Sequence, residues 1–183
     1  MALGDELSRI AGVAAAHAAP GEELAGVVAG EPAPGRRAYL CAFSGNGGRS
    51  WLALDAAGEP ITSRAFVREL VSIAALCELA EDAAGGGELE ELRSQLATLR
   101  LTEAPPGIED AEEAALELER VVRLPPRIAS PAYLDAVGAA TRKLELALGS
   151  SSASPFAEAV KQGTPAVDAL TLEVDTTYKV PLE

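Results

Sequence analysis

The chain has 183 residues and a formal charge of −13, from 28 Asp and Glu against 15 Lys and Arg. Hydrophobic residues at 48% exclude disorder along the whole chain, and no apolar run reaches the roughly 18–20 residues that cross a bilayer. So acidic a chain, with Arg36-Arg37 and Arg142-Lys143 as its adjacent basic pairs, is poorly suited to nucleic-acid phosphates or to anionic lipid, so neither nucleic acid nor membrane is an expected partner.

The opening Met-Ala-Leu-Gly-Asp-Glu lacks the basic n-region of a secretory signal. Two cysteines cannot build a disulfide framework, so a reducing cytoplasm is the expected compartment. Abundant alanine, and twelve Arg to three Lys, suggest a GC-rich bacterial genome.

In chain order, Leu3, Leu7, Ile10, Ala14 and Ala18 form one stripe and predict a helix over 3–18, which Pro20-Gly21 ends. Residues 22–30 read equally as a short strand or one more helical turn. Pro32, Pro34 and Gly35 make a loop. Ala38–Phe43 and Trp51–Leu54 are runs of aromatic and aliphatic residues flanking Ser44-Gly-Asn-Gly-Gly-Arg-Ser50, the signature of a β-hairpin over 38–54. Thr62 or Ser63 can cap the next helix, over 63–83. Its wide apolar surface of Phe66, Val67, Leu70, Val71, Ile73, Cys77 and Ala80 implies burial on more than one side.

Gly85–Gly87 breaks that helix. Leu89, Leu92, Leu96 and Leu99 then recur at spacings of three and four, predicting an amphipathic helix over 88–101. Asp110 with Glu113 makes a capping box for a helix over 111–123, whose inner face carries Ala114, Leu118, Val121 and Val122. Ser130-Pro131 and Ser154-Pro155 each place a cap residue before a proline, opening helices over 131–148 and 155–162 with a loop at Gly149–Ser152. Leu170, Leu172, Val174, Thr176, Tyr178 and Val180 alternate with polar residues, which predicts a half-buried C-terminal strand over 170–180. A helix from Thr164-Pro165 to Leu172 competes with it.

The expected architecture is a single α+β domain over 1–183, mostly helical. A small antiparallel sheet, made of the 38–54 hairpin and the 170–180 strand, packs against five or six helices.

Little in the sequence carries chemistry. His17 stands alone, which removes His-rich zinc sites, and there is no G-x-S-x-G elbow for a serine nucleophile. Cys41 and Cys77 have apolar flanks and no cationic cluster to activate a thiol, so both read as structural. Glu113 and Glu117 share a helix face and could share a cation, yet acids on the wet side of a helix are ordinary, and no metal site, cofactor or catalytic residue is expected. The hairpin loop is the one suggestive feature. Ser44, Asn46, Gly47, Gly48 and Arg49 could turn backbone N–H groups inward as an anion nest, with Arg49 adding charge, although a plain turn explains them too. The leading expectation is a non-catalytic, self-associating protein–protein interaction or assembly protein. The alternative is a small anionic-ligand binder or small enzyme using Ser44–Arg49.

Overall fold

The computed structural model of the chain describes residues 2–45, 47–85, 87–102, 106–123, 127–147 and 155–183, and side chains within these save at 85–93 and 155–157. The elements in order are α1 (Leu3–Ala15), β1 (Glu22–Gly30), β2 (Ala38–Gly45), β3 (Gly48–Asp55), α2 (Arg64–Gly85), α3 (Gly87–Thr102), α4 (Ile108–Arg123), α5 (Pro131–Ala147) and α6 (Pro155–Thr177). This is an α+β, mostly helical fold. The sequence readings at Asn46, Gly86, Leu89, Leu92, Gly149–Ser152 and Ser154 lie outside the described residues or side chains.

The chain divides into two compact units. The first comprises Met1–Ala75, Pro126–Pro131 and Pro165–Glu183; the second comprises Leu76–Pro125 and Ala132–Thr164.

The first unit is built on an antiparallel meander in the order β1-β2-β3. Tyr39 lies opposite Leu54, Cys41 opposite Leu52, and Phe43 opposite Ser50, so the pleat sends Tyr39, Cys41, Phe43, Leu52 and Leu54 to one face. Helix α1 covers that face with Ile10 and Ala14, and Leu3, Leu7 and Val13 pack around them. Leu40, opposite Ala53, points to the other face, where Leu70 of α2 approaches Gly30 so closely that no Cβ fits there. Helix α2 starts as its composition suggests, with the Phe66 N–H donating to the Ser63 hydroxyl at 3.4 Å.

The C-terminal strand over 170–180 is not there: those residues belong to α6 as far as Thr177. The third strand is β1, over the segment that read equally as strand or helix. Two of the apolar residues satisfy both periods: Leu170 and Val174 fall on the alternation and also follow Val167 at spacings of three and four. Val167 and Val174 are buried, while Leu172, which a strand would have buried, is 66% exposed. The threonines that looked strand-like turn their hydroxyls onto the preceding helical turn, Thr171 to the Val167 carbonyl at 2.9 Å and Thr176 to that of Leu172 at 2.8 Å. The 155–162 helix is therefore longer than its sequence reading, and it runs through Pro165 instead of restarting there. Two residues beyond α6 do join the sheet: Tyr178 bridges Trp51 in parallel, and the Lys179 N–H donates to the Trp51 carbonyl at 2.9 Å.

The second unit has a core of small and aliphatic residues, Ala80, Ala84, Leu96, Ala111, Ala115, Leu118, Val137 and Leu144 among them. In α4 the buried Ile108, Ala111, Ala115, Leu118 and Val122 recur at three and four. Helix α4 begins three residues before its expected start, so Asp110 sits in the first turn instead of capping it. Gly107 precedes the helix at φ +86°, and its carbonyl accepts the Ala111 N–H at 3.1 Å. Gly163 of α6 lies against Leu79 without room for a Cβ.

Candidate functional site

The hairpin is tighter than the sequence reading allowed. Ser44 and Gly45 are the last residues of β2, opposite Arg49 and Gly48 of β3, so the ladder runs into the cluster that could have formed an anion nest. Gly48 takes φ +109°, a conformation that favours glycine. Gly45 has another reason to lack a side chain, since a Cβ would strike the Gly21 carbonyl and the Glu22 stem. Gly47 forms the turn.

Arg49 is already engaged. Its Nε and one terminal nitrogen hold both carboxylate oxygens of Glu173 at 3.0 and 2.8 Å, and its guanidinium stacks 5.4 Å from the Trp51 ring. Nothing in the local sequence announces Glu173 as the partner. Asp175, half a helical turn on, accepts from Arg68 at 2.6 Å and lies 3.5 Å from Arg64. Glu22 accepts from the Lys179 ammonium, the Ala19 N–H and the Ser50 hydroxyl, which together hold its carboxyl down at about 2. These pairs fasten the end of α6, and the residues after it, to the sheet and to the first turns of α2.

The other chemically capable groups are held or placed in ways that give them no such role. Cys41 is fully buried, and desolvation pushes its thiol up to about 12, which makes it a poor nucleophile. Cys77 is buried and unoxidised. The Tyr39 hydroxyl donates to Glu6; burial first, then this carboxylate, raises it to about 12. His17 is exposed just beyond α1. Among the described residues no three His, Cys, Asp or Glu come together as a metal cage, and Glu117 takes Lys143 at 3.0 Å as its counter-ion.

The second unit offers a different kind of feature. On the outer side of α4, Leu116 is 54% exposed between two depressions. One, of about 530 Å³, runs along Glu113, Leu116, Glu117, Glu119, Arg120 and Arg123; the other, of about 220 Å³, lies between α3 and α4 along Leu96, Ala97, Glu112, Ala115 and Leu116. Helix α3 also leaves Leu101 88% exposed. Of the leucine seam read from the sequence, Leu96 is buried and Leu99 partly exposed. Sequence reasoning passed over Leu116 because it sits among glutamates. Its signal was there to read: an apolar residue on the wet side of an otherwise well-patterned helix.

Comparison of the chain with protein-family models, with curated proteins and with solved structures finds no match.

Proposed function

We propose that this chain is a non-catalytic, cytoplasmic bacterial protein that acts through protein–protein contacts and associates with itself. One observation carries the reading: α4 presents Leu116 to solvent between two depressions that mix apolar and charged lining. Exposed leucine beside a groove is what helix-in-groove recognition uses, whereas an isolated surface leucine does without such relief. The two buried cysteines, neither in a disulfide, accord with a reducing compartment. A net charge of −13 speaks against nucleic acid as the partner, and no helix among the described residues is long and apolar enough to cross a membrane.

The reading that uses the Ser44–Arg49 loop for an anionic ligand has less behind it, since an incoming anion must displace Glu173 from Arg49. Two measurements separate the two. Sedimentation velocity across a wide concentration range is expected to show reversible association that weakens in Leu116→Ser. A thermal-shift screen of phosphate, sulfate and nucleotides is expected to leave the melting midpoint unmoved. A midpoint that rises with one of these anions in the native protein, but not in Arg49→Ala, would overturn the proposal in favour of a ligand site.

A further inference from the structure

The outer side of α4 carries a pattern of its own. Glu109, Glu113, Leu116, Arg120 and Arg123 follow one another at spacings of four, three, four and three, which keeps them on one stripe of a helix. That stripe is distinct from the buried row of Ile108, Ala111, Ala115, Leu118 and Val122. All five of its residues are exposed. It is acidic towards the N-terminus, basic towards the C-terminus and apolar in the middle. Among the described residues, Glu109, Glu113 and Arg120 make no ion pair within the chain, while Arg123 pairs with Glu119 at 2.9 Å, one turn back on the same helix, in a surface pair of the kind that contributes little.

A stripe that reads acid, leucine, base complements itself when reversed. We propose that α4 pairs antiparallel with α4 of a second copy across a two-fold axis at Leu116, so that Glu109 and Glu113 of each copy meet Arg123 and Arg120 of the other. This rests on the reading of the chain as self-associating and adds the partner, the element and the register. A two-fold contact is isologous, so each favourable pair is made twice, and a parallel arrangement would set acid against acid. Stable dimers bury about 1,200–2,000 Å² in all. A sixteen-residue helix meeting its copy through one leucine makes a smaller contact than that. The association is accordingly weak, concentration-dependent and sensitive to salt.

The test uses two charge variants of the full chain. The double variant Glu109→Arg/Glu113→Arg has an all-basic stripe, and Arg120→Glu/Arg123→Glu has an all-acidic one. Both change only exposed side chains, and a thermal melt of each shows that it folds. Sedimentation of either variant alone is expected to give monomer where the native chain dimerises. An equimolar mixture is expected to regain the dimer with affinity at least equal to the native one, and Leu116→Ser to raise the dissociation constant tenfold or more. If native chain and mixture both stay monomeric to millimolar concentration, this pairing and the self-association reading fall together. If the native chain dimerises and Leu116→Ser weakens it, but the mixture shows no rescue, the surface stands and the antiparallel pairing is wrong.

Discussion

The two edges of the sheet meet the same physical problem in different ways. An edge strand leaves a row of backbone groups unpaired, and such a row invites pairing with another chain. On β3 the row is filled from within. The Trp51 carbonyl accepts from Lys179 at 2.9 Å, the Ala53 N–H donates to the Tyr178 hydroxyl at 3.0 Å, the Ala53 carbonyl accepts from Ile61 at 2.9 Å, and the Asp55 N–H donates to the Glu59 carbonyl at 2.9 Å. On β1 the added bonds among the described residues lie at its ends, where the Glu22 N–H donates to the Ala19 carbonyl at 2.9 Å and the Ala29 carbonyl and the Glu31 N–H both bond Ala129 at 2.8 Å. Glu23, Ala25, Gly26 and Val28 remain exposed, and the register shifts between Leu24 and Gly26. A bulge twists an edge away from flat pairing, and a glutamate near it repels an incoming acidic strand. One edge is closed by covering it, the other by making it a poor template.

The comparison predicts that damage to the covered edge is the more costly. Ending the chain after Thr177 removes Tyr178 and Lys179 from β3, together with the Glu183 bonds to the backbone of Thr62 and Arg64. The expected loss is about 3–5 kcal/mol, from several hydrogen bonds and a half-buried aromatic ring, read from denaturant midpoints. An unchanged midpoint would show that the cover is ornamental. Tyr178→Phe is the narrower cut: it keeps the ring but strips the hydroxyl that donates to the Ile61 carbonyl at 2.6 Å and accepts from Ala53. About 1–3 kcal/mol should go, with faster hydrogen exchange at the Ala53 amide.

The third prediction concerns Glu22, which opens β1 and ties it to Lys179. Its carboxyl is held down at about 2 in the folded chain, below the ordinary 4.5, so the stabilisation it lends is complete above about pH 5 and is lost as pH falls through 2. Glu22→Gln should flatten that part of the acid-unfolding profile; a profile that keeps its slope would place the sensitivity elsewhere. The smallest effect is expected on the uncovered edge. Val28→Lys changes an exposed side chain and should move stability by no more than about 0.5 kcal/mol, while reducing aggregation on heating. A loss comparable with that of Tyr178→Phe would mean the β1 edge is covered after all.

How much of this was legible in the sequence depended on whether the deciding contact was local. The hairpin was readable because Gly45, Gly47 and Gly48 lie between two strand-forming runs, and α5 because Ser130-Pro131 sets its first turn. The segment 22–30 was ambiguous because Leu-Ala-Gly-Val-Val has no period of its own, and β2 decides its conformation. The tail misled because Leu170 and Val174 satisfied two periods. In the helix that forms, Glu173 meets Arg49 and Asp175 meets Arg64 and Arg68, partners that lie far away in the sequence. The candidate loop was legible as a turn, but the partner that occupies Arg49 was not, since it lies more than a hundred residues away in the sequence.

The seal on β3 also sets a timetable. The meander is complete once residue 55 has been made, yet the amide that closes the Trp51 carbonyl arrives only with Lys179. At roughly 5–20 residues per second, the ribosome holds the nascent sheet with that edge open for on the order of ten seconds. The first turn of the wait is shortened by Glu59 and Ile61, which follow β3 at once and cover the Asp55 and Ala53 positions. On this edge the stretch around Trp51 stays bare longest, and it is where a chaperone or a neighbouring nascent chain would find β3 open.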